Sequence, residues 1–339
     1  MSTTTYTVRQ YRPGDEHGIL RLFNQVFGED DPSFRPRTLE QWHWEFRDNP
    51  AGMQIIVAED AGGRIVAHYA CLPARTQLKD EQVLTGQGVD SMVHPDSRRG
   101  LKKEGPFLQV ARAYLETFGN ERVCAFGFGF PNEKAFRVGV RRIGYVPVVP
   151  SLPTLFRNFF SDSDDETVGR KFQGAREVRE VTAFEASADQ LWKRVRAAFP
   201  VALLRDSLYL NWRYARCARG RYRLFEVCDD GRLAAVFVTR ALWQGLPILA
   251  LADYLGDPRD EASFALALRQ ALRCARDEKQ VRVEAWFPRS HPFFEQALEA
   301  GFKTEPSQAN LCVMLFRKDL ELDWLARNWF FTIGDSDLF

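Results

Sequence analysis

The sequence has almost no net charge, few histidines and no paired cysteines. Its 339 residues include 46 lysines and arginines against 45 aspartates and glutamates. This balance gives no overall field that would attract nucleic acid or an anionic membrane, so the sequence predicts neither as a partner. The six cysteines are scattered without a Cys-x-x-Cys pair, and only five histidines are present. We therefore predict buried free thiols and no metal site.

Long apolar segments are also missing. The sequence contains no run of about 18 apolar residues that could cross a bilayer, and its first ten residues, MSTTTYTVRQ, contain no apolar signal region. We expect a cytoplasmic protein on this basis. With 45% hydrophobic and 13% aromatic residues the chain can still bury a large core, and its length suggests two domains.

Local charge is concentrated in the segment HPDSRRGLKKEGPF, residues 94–107. Four cations and two glycines separate a short apolar run (87–95) from a run with one apolar helical face. Gly105 and Pro106 suit the first turn of a helix, so a helix should begin near residue 105. A helix start presents N–H groups and the positive end of its dipole, which suits phosphate oxygens. A solvated basic loop is the alternative.

The segment CAFGFGFPN (124–132) alternates phenylalanine with glycine. In a strand, this alternation places three rings on one face and leaves the other face bare. A bare face predicts a close neighbour, which is either a backbone or extended ligand lying alongside, or a tightly packed helix. Asn132 is suited to cap the helix that follows.

Two parts of the chain follow one plan. The segments WEFRDNPAG (44–52) and WRYARCARG (212–220) share a tryptophan, an aromatic residue and a glycine at the same spacing. Asp90 and Asp253 each lie five residues before a proline. These ordered matches predict a degenerate repeat. Only the first copy has the basic loop, because the second has RDEASFALAL (259–268) at that place. We expect the first copy to be catalytic.

These motifs resemble the GNAT superfamily of acyl-coenzyme A dependent N-acyltransferases, and specifically its tandem-domain members. The resemblance implies an α/β fold in which two tandem GNAT-like domains each contain a twisted mixed sheet flanked by helices. The expected parts are an N-terminal domain with the acetyl-coenzyme A site (1–150), a linker (151–185), a degenerate GNAT-like domain (186–318), and a C-terminal helix with an aromatic tail (319–339).

The resemblance also implies where acetyl-coenzyme A would bind. In the family, the strand before the loop contacts the acyl carbonyl, and the loop cradles the pyrophosphate. Residues 102–105 match the loop pattern best, and a register starting at Arg98 matches less well. Asn132 looks like the residue that contacts the pantetheine region. The expected cofactor-binding residues are Met92, Val93, His94, Arg98, Arg99, Gly100, Lys102, Lys103, Gly105, Pro106, Phe107 and Asn132.

The implied reaction is direct transfer of an acetyl group from the thioester to a primary amine of a small molecule. A neutral amine must attack, so a base or a water chain removes its proton. We predict Asp90 and His94 as catalytic residues. A structural hydrogen bond is the alternative for Asp90, since Asp253 recurs without a basic loop. The other candidates for the base are Glu133, Tyr69 and His68.

One departure from the family pattern concerns the acid that protonates the leaving thiolate. Many members have a tyrosine four residues before the helix-closing glycine, and Val140 stands there in this sequence. Either another group donates the proton, or the thiolate leaves unassisted, or the domain is not an enzyme. A non-catalytic coenzyme A-binding scaffold and an aminoacyl-tRNA-dependent peptidyl transferase of the tandem type are the alternative functions. The aromatic tail should dock on the body, or place the Phe339 carboxylate in the active site.

Overall fold

The structure is a computed structural model that describes residues 6–29, 34–98, 105–149, 152–158, 176–307 and 309–337. The chain forms two compact units, each assembled from separate segments. Unit 1 comprises Met1–Arg75, Val83–Val148 and Leu311–Glu321. Unit 2 comprises Thr76–Gln82, Val149–Asn310 and Leu322–Phe339.

Within the described residues, α-helices are interspersed among the strands. The strands are β1 (Thr7–Gln10), β2 (Gln54–Glu59), β3 (Ile65–Leu78), β4 (Glu81–Val93), β5 (Phe126–Gly129), β6 (Val146–Val149), β7 (Pro153–Asn158), β8 (Glu177–Val181), β9 (Val201–Leu203), β10 (Arg223–Asp229), β11 (Arg232–Arg240), β12 (Ile248–Gly256), β13 (Arg282–Ala285), β14 (Lys303–Pro306) and β15 (Leu311–Leu315). The α-helices are α1 (Asp15–Gly28), α2 (Leu39–Trp42), α3 (Pro106–Thr117), α4 (Glu133–Val138), α5 (Ala186–Val195), α6 (Ser207–Leu210), α7 (Glu261–Asp277), α8 (Pro292–Glu299) and α9 (Leu322–Asn328).

Unit 1 contains a mixed sheet in the order β1-β2-β3-β4-β5-β15-β6. The pairs β1–β2, β2–β3 and β5–β15 are antiparallel, whereas β4 and β5 are parallel. Because side chains alternate along a strand, β2 supplies both faces of the sheet. Ile55 and Val57 join the cluster that includes α1, and Ile56 and Ala58 join the cluster that includes α3. The sheet is therefore buried on both faces.

Unit 2 repeats this order, with strands β8-β10-β11-β12-β13-β7-β14. Strand β12 is parallel to β13, as β4 is to β5. Helices α2 and α6 each continue into a five-residue π-helical turn, His43–Arg47 and Asn211–Ala215, which holds the repeated tryptophan and aromatic residue. The predicted fold, with two mixed sheets flanked by helices, is confirmed. The repeated motifs occupy equivalent elements in the two units.

The segment boundaries differ from the predicted domains. Strand β7 lies in the segment predicted as a linker, yet it pairs with β13 and β14 in the sheet of unit 2. Strand β15 lies in the segment predicted for the second domain, yet it pairs with β5 in unit 1. Each sheet thus receives its second-last strand from a distant part of the chain. Strand pairing is decided by a partner far away in sequence, and no local pattern shows it.

The C-terminal segment contains the helix that was expected, α9. Trp329, Phe330 and Phe331 are buried, and the Phe330 N–H donates to the Val201 carbonyl within unit 2 (2.8 Å). This confirms that the aromatic tail docks. Phe339 lies outside the described residues, so the placement of its carboxylate stays a prediction.

Candidate active site

A cleft opens in unit 1 where β4 and β5 separate. The two strands pair only at Gly86 with Gly127 and at Gln87 with Phe128, and β4 then continues to Val93. The cleft is narrow, and a water-sized sphere has only about 10 Å³ of space in it. Its lining comprises Tyr69, Cys71, Gly86, Gly88, Tyr114, Gly127, Phe128, Gly129, Tyr145, Cys312, Val313 and Met314.

Four glycines form the walls of this cleft, two from each parted strand. A Cβ atom on Gly88 would lie 3.6 Å from the Phe128 carbonyl oxygen, and one on Gly129 would lie 3.5 Å from the Gly88 carbonyl oxygen. Any longer side chain would therefore enter the space between the strands. The bare glycine face predicted from CAFGFGFPN is confirmed, and it faces an open cleft.

Strand β4 has a bulge beside the cleft, at Asp90. This residue has a φ of 49°, in the left-handed region that non-glycine residues seldom adopt. Val89 and Met92, three residues apart, consequently face the same core cluster, whereas Val93 packs on the opposite cluster. The bulge reverses the alternation of side chains and backbone groups along the last part of β4.

The backbone after the bulge presents one N–H group towards the cleft. The His94 N–H donates to the Val66 carbonyl of β3 (2.8 Å) and is therefore occupied. Because successive N–H groups of an extended strand point to opposite edges, the Val93 N–H points to the edge from which β5 diverges. Of the predicted contacts at Met92, Val93 and His94, the Val93 N–H is the backbone donor that faces the open edge of β4, and its contact with the cofactor stays a prediction. The Met92 side chain is buried in the core.

Helix α3 begins where the sequence predicts. Gly105 is its N-cap residue and Pro106 occupies the first turn, and no side chain of the described residues caps the helix. Pro106 has no N–H and the Leu108 N–H donates to the Gly105 carbonyl (3.1 Å), so the Phe107 N–H and the positive end of the helix dipole are what this helix start offers an anion. Phe107 is partly buried against the α3-side cluster. The predicted contacts at Arg99, Gly100, Lys102 and Lys103 lie outside the described residues.

Arg98, the described cation of the predicted loop, has two partners in unit 1. Its Nε donates to the Val93 carbonyl oxygen (3.0 Å), and its Nη1 lies 3.2 Å from a Glu29 carboxylate oxygen. The side chain is 40% exposed. This geometry ties the start of the loop to β4 and α1.

The predicted base Asp90 belongs to a buried ionic cluster. Arg37 binds both of its carboxylate oxygens, one of them at 3.1 Å, and the same guanidinium lies 3.3 Å from Glu45. The Asp90 carbonyl oxygen lies 2.8 Å from His68 Nδ1. Burial lowers the pKa of His68, which favours the neutral ring. The cluster favours the structural interpretation of Asp90, and its catalytic role stays a prediction.

Three other predicted residues have local partners. His94 Nδ1 accepts a hydrogen bond from the Asp96 N–H (3.3 Å), and the imidazole is largely buried. Asn132 caps α4 by accepting the Ala135 N–H (2.9 Å), as the sequence predicts. Glu133 forms an exposed ion pair with Arg137 of α4. These contacts account for Asn132 and Glu133 as helix-stabilising residues, and the pantetheine contact at Asn132 stays a prediction.

The cleft also contains a pair of tyrosines. Tyr69 is among the candidate bases predicted from the sequence, whereas Tyr145 is not. The hydroxyls of Tyr69 on β3 and Tyr145 before β6 lie 3.0 Å apart. Burial raises the pKa of Tyr145 to about 12 and that of Tyr69 well above its ordinary value. Val140, where the family has its tyrosine, is instead 40% exposed. The GY dipeptide that closes the helix was the available signal for Tyr145.

Among the described residues, no group of three or more histidine, cysteine, aspartate or glutamate side chains is arranged to hold a metal ion. No helix in that part of the chain is long and apolar enough to span a membrane. The thiol of Cys71 lines the cleft, and burial raises its pKa to about 12, so it is a poor nucleophile.

Comparison with known proteins agrees with this geometry. Residues 7–145 match the family profile of the acetyltransferase (GNAT) domain. No curated protein matches the chain. Among solved structures, a probable N-acyltransferase from Enterococcus faecalis V583 is similar with a TM-score of 0.64 at 11% identity, covering 92% of this chain and 73% of the other.

Two further structures share the fold. A GCN5-related N-acetyltransferase from Anabaena variabilis has a TM-score of 0.64 at 12% identity, covering 92% of this chain and 73% of the other. The N-myristoyltransferase of Saccharomyces cerevisiae, solved with myristoyl-coenzyme A, has a TM-score of 0.57 at 13% identity, covering 93% and 79%. Residues 7–145 therefore match a GNAT acetyltransferase domain, and the chain shares its fold with these solved structures.

Proposed function

We propose that the protein is an acetyl-coenzyme A dependent N-acetyltransferase that acts on a primary amine of a small molecule. The observation that carries this proposal is the glycine-walled cleft between β4 and β5, since a strand-like ligand can lie along the free edge of β4. The start of α3, which has no side-chain cap, supports a pyrophosphate site there through the Phe107 N–H and the helix dipole.

The length of the donor supports this placement. The pantetheine arm has as many chain atoms as about four residues, so it spans roughly 14 Å when extended. The four residue steps of β4 from Val93 back to Val89 cover about 13 Å. If the phosphates of acetyl-coenzyme A lie at the start of α3, its thioester therefore lies near Val89 and Gly88, beside the bulge.

The chemistry follows from the groups at that point. The neutral amine attacks the thioester carbon, and in this proposal a backbone N–H of β4 beside the bulge stabilises the negative charge that develops on the oxygen. The carbon–sulfur bond then breaks and its electron pair goes to sulfur. Both oxygens of Asp90 are bound to Arg37, so we infer that the amine proton leaves through water. His94 directly follows β4, and its role as the base that receives this proton through water is part of the proposal.

The size of the acyl group also follows from the cleft. Its inner end is closed by the Gly86–Gly127 pair and by the Tyr69 and Tyr114 rings. This favours a short acyl group over a long chain. We propose no nucleic-acid or membrane partner, since the chain carries 46 basic and 45 acidic residues.

The test is a transfer assay with labelled acetyl-coenzyme A and a panel of amino sugars and polyamines. We expect acetylated amine and free coenzyme A in equal amounts. Saturable coenzyme A binding without product over the whole panel would favour the scaffold alternative. A comparison with myristoyl-coenzyme A as donor checks the acyl length, and faster transfer of myristate would contradict the proposed short acyl group.

A further inference from the structure

The hydroxyls of Tyr69 and Tyr145 carry two protons, and the hydrogen bond between them uses one. Tyr69 and Tyr145 lie 3.0 Å apart, and one of their two protons makes that bond. Tyr69 is buried among rings, with its centroid 5.0 Å from that of Tyr114 and 6.1 Å from that of Phe107. Tyr145 is only partly buried. Either hydroxyl can donate this bond; when Tyr69, the more buried of the two, donates it, the Tyr145 proton is left to point into the cleft.

The position of Tyr145 is fixed by its neighbours. A Cβ atom on Gly139 would lie 2.2 Å from the Tyr145 ring, so this glycine makes room for the ring beneath the turn after α4. On the opposite side, a Cβ atom on Gly88 would lie 3.7 Å from the Tyr145 hydroxyl. The hydroxyl is therefore held beside Gly88 of β4. The length of the pantetheine arm places the thioester at the same residue.

We propose that the Tyr145 hydroxyl is a catalytic group that donates a hydrogen bond to the thioester sulfur as it leaves. This inference rests on the proposed function. When the tetrahedral intermediate collapses, the carbon–sulfur bond breaks, its electron pair moves to sulfur, and the hydroxyl stabilises the thiolate. The proton that the nitrogen loses to water balances the proton that the released thiol gains. Tyr145 thus replaces the group that Val140, exposed on the helical turn, cannot supply.

The surroundings of the pair fit this role. Burial raises the pKa of Tyr145 to about 12, so the phenol stays protonated while a thiol with a pKa of about 8.5 ionises. The titratable groups that face the pair in unit 1 are Cys71, Tyr114 and Cys312. Burial raises the pKa of all three, so none of them is charged when the thiolate forms.

Binding of coenzyme A tests the contact without an acceptor. Calorimetry compares coenzyme A with desulfo-coenzyme A from about pH 7 to about pH 9.5, across the ordinary thiol pKa. In the natural protein, coenzyme A should gain about tenfold in affinity over the desulfo form as the thiol ionises, because a charged acceptor strengthens the hydrogen bond. In Tyr145→Phe this gain should disappear. An equal gain in both proteins would overturn the proposal.

Turnover provides the second arm. With any amine that the natural protein acetylates, Tyr145→Phe should lower kcat about a hundredfold and leave the KM for acetyl-coenzyme A within about threefold. Replacing Tyr145 by the more acidic 3-fluorotyrosine should restore kcat near neutral pH and add a loss of activity at alkaline pH. A purely structural residue would not shift the pH profile.

A matched control is Tyr11→Phe, which removes a hydroxyl that binds Glu16 in unit 1 away from the cleft (2.7 Å). Its kcat should be unchanged. If the natural protein binds neither form of coenzyme A, the proposed function itself fails. If it binds and turns over while Tyr145→Phe keeps the natural kcat, only the role of Tyr145 is refuted.

Discussion

The two units share a sheet order and a buried arginine–aspartate pair, but among the described residues only unit 1 has a glycine-lined cleft between its two parallel strands. In unit 1, the residue four positions before the aspartate, Gly86, pairs with Gly127, and the strands soon part. In unit 2, Leu249 holds the position four before Asp253 and pairs with Val283.

The difference extends to the next position along these strands. Gly88, two before Asp90, has no strand pairing with β5, whereas Leu251, two before Asp253, still pairs with Ala285. The unit 2 side chains at these places are fully buried. The comparison teaches that the shared framework builds the sheet, and that glycine at a few positions decides whether the parted strands can accept a ligand.

The ionic clusters show what the units keep in common. In unit 2, Arg205 is fully buried, with its Nε 2.8 Å from Asp253 and its Nη2 2.7 Å from Asp335. In unit 1, Arg37 binds Asp90 and Glu45. The cluster is also present in unit 2, where leucines occupy the place of the cleft. This favours a structural role in both units, because the cluster holds the strand bearing the aspartate against neighbouring elements.

The largest effect should come from breaking the unit 2 cluster. Arg205→Met leaves two buried carboxylates without their cation, so we expect a loss of about 3–5 kcal/mol in the free energy of unfolding. This corresponds to a fall of roughly 10 °C in Tm by calorimetry. Arg259→Met is the control, because Arg259 is 90% exposed beside Asp257 and should leave Tm within about one degree.

The loss caused by Arg205→Met should depend on pH. Burial raises the pKa of Asp335 in the folded protein, and loss of the arginine raises it further. A carboxyl with a raised folded pKa favours the folded state at low pH and loses that contribution as the pH rises through this pKa. The stability deficit should therefore shrink as the pH falls from about 7 to about 5. A deficit that grows over this range would contradict the assignment.

Replacing Gly88 of unit 1 by leucine, the residue at the equivalent position of unit 2, should remove the proposed acetyl-coenzyme A site. Gly88→Leu places a leucine in the cleft, as Leu251 does in β12, and should weaken acetyl-coenzyme A binding at least about a hundredfold by calorimetry. Gly88→Ala is the matched control, since its Cβ would have ordinary contacts of 3.6 and 3.7 Å. Undiminished binding by the leucine variant would show that the donor does not use this cleft.

A smaller effect is expected from the basic loop, which unit 2 lacks. Changing Lys102 and Lys103 together to alanine should weaken acetyl-coenzyme A binding about tenfold, and more at low salt, because two cations near the phosphates are lost. Titrations at two salt concentrations measure both effects. An unchanged Kd would rule out the loop register that starts at Lys102.

The smallest effect is expected at Glu133, one of the candidate bases. Its carboxylate pairs with Arg137 at an exposed site, so Glu133→Gln should change kcat by less than about twofold. Steady-state kinetics with an acetylated amine provide the measurement. A hundredfold fall in kcat would make Glu133 the base instead.

Local patterns in the sequence were sufficient for much of this fold. Gly105 and Pro106 placed the start of α3, Asn132 placed the cap of α4, and the alternating glycines placed the open face of β5. The repeated tryptophans marked equivalent turns in both units. Each of these signals acts over a few residues, through backbone freedom, capping or side-chain alternation.

Long-range features could not be predicted in the same way. The sheet that β7 or β15 joins depends on partners more than a hundred residues away, and neither strand carries a local sign of them. The Arg37–Asp90 contact joins residues 53 positions apart, so Asp90 alone looked like a candidate base. Tyr145 was visible as part of a dipeptide, but its contact with Tyr69 required the assembled sheet.

The most direct test of the difference between the units is a calorimetric titration of the full chain with acetyl-coenzyme A, which gives both the affinity and the number of sites. The account predicts one site per chain, lost in Gly88→Leu and unaffected by Leu251→Met in unit 2. Two sites per chain, or one site that survives in Gly88→Leu, would contradict the assignment of the donor to the cleft of unit 1.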